Sequence, residues 1–300
     1  MKKTLVAVAA LVATGAFAQV SITGVMETAV QINNGTTTIS GGNNGTSELS
    51  LGVSEDLGNG IKAIASSTIC LNPMQGDLAG NVACNKPTAG RTGAASVSNS
   101  YNGYIGLSGE FGTAKFGQQF TRNFFTSLAA DVNGRGIGGS QIGGTQGQIA
   151  NSINYTSPSI SGVSISVQQT LADDAAAKYN SYSLDYSAGA LGLSYSSGKT
   201  GSTTESVAAV NYDFGMAKVF AGWGSTSSTT DQNASAFGVS VPFGAFTLTA
   251  ASNKDTAGKS GTTLGATYNL SKRTSVYAVN VDNAYSKTSN GNYIGIRHNF

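Results

Sequence analysis

The sequence predicts an all-β chain, a single 16-stranded antiparallel transmembrane barrel, and three observations carry that reading. Apolar and polar residues alternate in segment after segment, the connections between segments alternate short and long, and charge is scarce although the chain is not rich in apolar residues. Only 11% of the 300 residues are charged and 40% are hydrophobic, whereas ordinary soluble domains carry roughly 25% charged residues. Gly, Ser, Thr and Asn fill the difference. Such a composition makes no helical membrane bundle and lacks the Glu, Lys and Leu that helices favour. It suits a sheet whose two faces meet different solvents.

Met1 to Ala18 opens with the pair Lys2-Lys3, continues through an apolar run from Leu5 to Val12, and ends in the small-residue pattern Ala16-Phe17-Ala18. This is the layout of a secretory signal peptide. The run is too short for a membrane anchor, which needs roughly 20 apolar residues. Residues 1–18 are therefore expected to be removed, and residues 19–300 to form one domain. The leader also removes the apparent basic bias: of 17 Lys+Arg, two belong to it, which leaves 15 against 15 Asp+Glu. A balanced chain argues against a nucleic-acid partner, since a phosphate-binding surface needs excess Lys/Arg.

From Gln19 onward, period-2 alternation places strands near 20–32, 48–55, 61–70, 101–110, 113–121, 149–157, 163–171, 179–188, 191–197, 205–213, 218–225, 233–241, 246–253, 262–270, 275–282 and 292–300. In the thirteenth of these, Phe246, Leu248 and Ala250 alternate with Thr247, Thr249 and Ala251, as a strand with one apolar face requires. Short connections fall at 55–60, 110–113, 157–162, 187–190, 213–216, 242–245 and 271–274. Longer Gly/Ser/Thr/Asn-rich ones fall at 33–47, 71–100, 122–148, 172–178, 198–204, 226–232, 254–261 and 283–291. Short turns on one side and long loops on the other is the plan of outer-membrane barrels, with turns periplasmic and loops extracellular.

Length agrees: the 282 residues from 19 to 300 divide into about 18 per strand and connection, and a tilted strand of about 9–11 residues crosses the hydrocarbon. The alternative is a soluble sandwich, whose apolar faces are few and bury one another. Here every strand has an apolar face of Ala, Val, Leu, Ile, Tyr and Phe, and an opposite face of Ser, Thr, Gly, Gln and Asn. A closed cylinder with apolar outside and polar inside accounts for both, and closure removes edges that lipid cannot satisfy. Tyr104, Tyr182, Tyr186, Tyr212, Phe214, Phe237, Tyr268 and Phe300, near strand ends, read as aromatic girdles.

The end of the chain is the most specific feature. Ile294, Ile296, His298 and Phe300 alternate on one face of Tyr293-Ile294-Gly295-Ile296-Arg297-His298-Asn299-Phe300. The stretch resembles the final strand of Gram-negative outer-membrane barrels, which the barrel-assembly machinery reads as an insertion signal. Tyr104 to Thr113 leading into Phe116-Gly117-Gln118-Gln119, and Asn151 to Pro158, resemble the general (diffusion) porin family, nearest its beta-proteobacterial type. The similarity spans the whole chain, including Val20 to Gly24.

The resemblance implies a homotrimer in the cell outer membrane, each barrel a water-filled channel for passive diffusion of ions and small hydrophilic solutes, narrowed by an inward-folded third loop. Here that loop is about 122–148. Its first part, Asn123 to Asp131, suits a short helical turn packed on the wall, and Gly134 to Gly147 is Gly-rich. In the family, acidic loop-three residues face basic residues on the opposite wall. Here only Asp131 is acidic, and Arg122 and Arg135 flank it, a departure that weakens the case for strong cation selectivity.

Parity nominates further lumen charges. Glu27 shares a face with Ser21 and Thr23, Lys62 opposes Ile61 and Ala63, Lys115 aligns with Thr113 and Gln119, and Arg297 aligns with Tyr293 and Asn299. An Arg or Lys facing lipid at the midplane costs about 2–4 kcal/mol, so all are expected to point inward, either shaping conductance or simply solvated in the lumen.

No catalytic or cofactor chemistry is legible. His298, the single histidine, lies on the apolar-facing parity of the last strand, with no pocket to position it for catalysis or metal binding. Cys70 and Cys84 carry no C-x-x-C pairing; in an exported chain they suit a disulfide across the second loop rather than a metal site, and general porins usually lack cysteine. The expected function is a diffusion channel, not an enzyme. The alternatives are a substrate-selective channel, for which no binding cluster is visible, and an adhesive or structural barrel, for which the loops lack aromatic anchors.

Overall fold

The computed structural model describes residues 18–41, 47–71, 73, 100–133, 142, 147–171, 178–227, 232–254, 258–283 and 290–300. Its strands are β1 (Gln19–Asn33), β2 (Thr36–Ser40), β3 (Glu48–Gly58), β4 (Ile61–Cys70), β5 (Ser100–Gly109), β6 (Gly112–Phe120), β7 (Gln148–Thr156), β8 (Val163–Thr170) and β9 (Tyr179–Ala188). They continue as β10 (Leu191–Thr200), β11 (Thr203–Asp213), β12 (Lys218–Thr226), β13 (Gln232–Phe243), β14 (Phe246–Lys254), β15 (Ser260–Asn269), β16 (Thr274–Asn283) and β17 (Gly291–Asn299). Consecutive strands pair antiparallel, save β2 and β3, which both pair with β1, and β17 pairs back onto β1, so the sheet closes.

The count of staves is sixteen because β2 and β3 share one place beside β1. Gln19 to Val25 pair with β3, whereas Ala29 to Asn33 pair with β2. The β1–β2 hairpin turns on Asn34 and Gly35, with φ of 47° and 77°, as a two-residue primed turn requires. Between the two halves the Glu27 N–H donates to the Ser47 hydroxyl (2.9 Å), which donates to the Glu27 carbonyl (3.2 Å). One serine thus replaces the missing ladder. The sequence reading had β2 inside a loop.

A second boundary also differs. Residues 198–204, expected as a long loop, are mostly strand: β10 and β11 pair through Thr200 and Thr203, and only Gly201 and Ser202 turn, with Gly201 at φ 58°. On the opposite rim the tight turns form as expected, several of them held by their own side chains. Asp56 Oδ1 accepts the Gly58 N–H and Asp213 Oδ1 accepts the Gly215 N–H, each at 2.8 Å, the local bond that makes Asp a turn former.

Alternation fixes the faces. Ile22, Met26 and Val30 on β1, Ile105 and Leu107 on β5, Leu184 on β9, Trp223 on β12 and Leu264 on β15 are all exposed outward, and the partner parity faces the lumen. Tyr182, Tyr212, Phe214, Phe237, Tyr268 and Phe300 are exposed on the outside, where girdle residues belong. Tyr104 is not one of them, because it shares parity with Ser108 and faces inward, opposite to Ile105. At the closing seam Phe300 and Gly24 exchange backbone hydrogen bonds of 2.9 and 3.0 Å. His298 is exposed outside, its Nδ1 2.8 Å from the Thr274 hydroxyl. Among the described residues, no helix is long and apolar enough to cross a membrane.

Candidate functional site

The third loop leaves β6 and enters the lumen as helix α1 (Arg122–Ala129). Thr121 caps it, its hydroxyl accepting the Phe124 N–H at 3.1 Å, which satisfies one of the free N–H groups of the first turn. The helix docks on the inner wall of β9–β12. Asn123 Nδ2 donates to the Glu205 carbonyl (3.1 Å), Thr126 and Ser194 share a hydroxyl hydrogen bond (3.1 Å), and Asn211 Nδ2 donates to the Ala129 carbonyl (3.2 Å).

Beyond α1 the wall is apolar, contrary to the uniformly polar inner face read from sequence. Ala130 and Ile142 of the loop pack with Val207, Ala209, Ala234 and Ala236, all on the lumen side. Gly222 and Gly238 complete the seat: a Cβ on Gly222 would collide with Ile142 and Ala130, and one on Gly238 with Val132. These small residues let the loop lie against the wall. The alternation pattern did not distinguish this inner apolar patch from a lipid-facing one.

Each nominated wall charge has an opposite-sign or aromatic neighbour. Glu27 is 1% exposed and stands opposite Arg297 across the β1–β17 seam; the Tyr277 hydroxyl donates to its carboxylate. Lys62 stands between Asp56 on β3 and Ser108 on β5. The Lys115 ammonium lies 4.3 Å from the Tyr104 ring centroid, within cation–π range. Asp131 is buried and its carboxylate accepts the Asn133 N–H at 2.8 Å, so it also stabilises the turn that ends the helix. Arg135 and most of the Gly-rich second half of the loop lie outside the described residues.

Arg122 Nη1 donates to Ser166 (3.1 Å), and its Cζ sits 4.6 Å from the Phe125 ring. Burial lowers its pKa from the usual guanidinium value, while the nearby Asp185 and Tyr179 oppose that shift. Asp185, which the sequence reading passed over, is a lumen acid on β9: its carboxylate accepts from Ser183 (2.9 Å) and from Ser194. Its parity with Ser181 and Ser183 was the available signal. Lys115 and Arg122 line one recess with Asn102, Gln119, Asn154 and Thr156. Lys62, Glu27 and Arg297 lie on the wall elsewhere. Cys70 is buried and disulfide-bonded; Cys84, the only other cysteine of the sequence, lies outside the described residues.

The family model for Gram-negative porins matches residues 4–290. The chain belongs to that family. This porin is a non-enzymatic outer-membrane channel for passive diffusion. Its barrel is similar to solved porins at low identity. The anion-selective porin from Comamonas acidovorans superposes with TM-score 0.74 at 21% identity, covering 95% of this chain and 100% of that one. A Rhodopseudomonas blastica porin triple mutant gives 0.66 at 16%, covering 94% and 100%. OmpT of Vibrio cholerae in its trimer form gives 0.65 at 15%, covering 94% and 99%. A search of curated proteins found no match.

Proposed function

We propose that this porin is a general diffusion channel with weak charge preference, passing ions and small hydrophilic solutes. In this reading Lys115, Arg122, Asp131 and Arg135 around the third loop set the field at its narrow part, while Glu27, Lys62 and Arg297 are balanced charges on the wall away from it. The observation that carries it is the opposition of charges on the inner face: Glu27 faces Arg297, and Lys62 faces Asp56. Opposed charges on facing residues cancel over distances beyond the Debye length, about 10 Å at 0.1 M salt, so solute size rather than sign decides passage. Purified protein should add stepwise ohmic conductance to planar bilayers, with a reversal potential near zero in a salt gradient. A barrel that inserts and stays silent, or one that rejects one ion sign almost completely, ends this reading.

Assembly as a homotrimer is part of the proposal, supported by the OmpT relative described in trimer form; mass measurement in detergent tests it. So is maturation at Gln19, which N-terminal sequencing of outer-membrane protein checks. The terminal face of Ile294, Ile296, His298 and Phe300 is proposed as the signal for the barrel-assembly machinery, and truncation of Phe300 should lower the amount inserted.

A further inference from the structure

Beside the N-terminal end of α1, where β5, β6 and β7 meet the third loop, lies a recess of about 100 Å3 whose polar lining is Asn102, Lys115, Gln119, Arg122, Asn154 and Thr156. Two cations enter it, and among the described residues neither makes an ion pair. The Lys115 ammonium rests on Tyr104 and the Arg122 guanidinium on Phe125. Arg122 spends Nη1 on Ser166, and its buried Nε has no partner. Asn154, only 5% exposed, accepts the Thr156 hydroxyl at 3.3 Å through Oδ1, while its Nδ2 has no partner.

Buried donors are almost always paired in native structures, so unpaired N–H groups around one recess point to something that accepts them. Among the described residues, no carboxylate lines the recess. Asp185, the acid that acts on Arg122, borders a separate cavity with Ser164 and Ser187, and its oxygens accept from Ser183 and Ser194. Phe125, 45% exposed, leaves an approach from the lumen. The space equals the share of about three waters at ~30 Å3 each, enough for one small oxyanion.

We propose that this recess is a binding subsite for a single small oxyanion, held by Lys115, Arg122 Nε and Asn154 Nδ2 through separate oxygens. The inference goes beyond the diffusion-channel reading, and the two are tested apart. Inorganic phosphate titrated calorimetrically into the purified barrel at constant ionic strength should bind with one site per chain. Asn154→Asp keeps the side-chain size and places a carboxylate in the recess, so it should weaken binding at least about tenfold, worth ~1.4 kcal/mol. Arg122→Gln should do the same, and Lys115→Gln stands in if Asn154→Asp does not assemble. Lys218→Gln, outside the recess, should leave binding unchanged. Absence of a saturable site in the parent, or equal affinity in the parent and the recess variants, overturns the proposal. Phosphate binding to a barrel without conductance would uphold the subsite and sink the channel reading; conductance without phosphate binding would do the reverse.

Discussion

Glu27 of the first strand stands directly opposite Arg297 of the last, on the inner face of the seam that closes the barrel, and takes a hydrogen bond from the Tyr277 hydroxyl. With Glu27 only 1% exposed, its carboxylate serves the closure rather than the permeating solute. Glu27→Ala removes the carboxylate acceptor of the buried Tyr277 hydroxyl, a loss of about 1–3 kcal/mol. The expected outcome is an earlier loss of β-sheet circular dichroism on heating in detergent, with Glu27→Gln, which keeps an acceptor oxygen, losing less. Equal melting of parent and Glu27→Ala would remove the seam role.

The third loop lies on the wall because the wall has room for it at Gly222 and Gly238. Gly222→Val puts a branched side chain where Ala130 and Ile142 sit, and overpacking of this kind costs about 1–3 kcal/mol. The loop must move away from β12, toward the axis. Single-channel conductance should therefore fall relative to the parent while the inserted fraction stays similar. An unchanged conductance would mean that the loop segment does not bound the open cross-section.

The staves of this barrel were legible because alternation is a local signal: Phe246, Leu248 and Ala250 announce an outward face without reference to any neighbour. The same parity puts Glu27, Lys62, Lys115 and Arg297 on the strand face opposite to the apolar one. What was not legible needed partners. Thr36-Thr37-Thr38-Ile39-Ser40 forms β2 only because β1 is long enough to pair twice, and Gly198-Lys199-Thr200 has loop composition but lies between two paired strands. The opposition of Glu27 and Arg297 depends on the register between the ends of the chain. The apolar inner patch of Val207, Ala209, Ala234 and Ala236 satisfies the alternation rule on either face, and the loop that covers it decides which.

Cys70 ends β4, fully buried and disulfide-bonded, and the sequence offers it Cys84 as partner. A short closed loop of this kind is worth about 3 kcal/mol in the chain-entropy account. Cys70 itself lies on β4, whereas α1 packs against β9–β12. Alkylation before and after reduction, read by mass spectrometry, should show both thiols protected until reductant is added. Reduction should then speed protease cleavage within residues 71–99 and leave single-channel conductance unaltered.

Arg122, the first residue of the docked helix, and Asp185 on β9 act on one another electrostatically. Asp185 counters the burial that lowers the Arg122 pKa, and its oxygens are held by Ser183 and Ser194. Asp185→Asn removes the negative member and keeps the hydrogen-bonding shape, so the lumen gains one net positive charge beside α1. The reversal potential in a KCl gradient should shift toward chloride preference. Arg122→Gln should shift it toward potassium. Both shifts should be largest in dilute salt and nearly vanish at 1 M, where the Debye length contracts to about 3 Å. A shift of the same sign in both variants, or one that persists undiminished at 1 M, would show that pore shape rather than this charge pair governs ion preference.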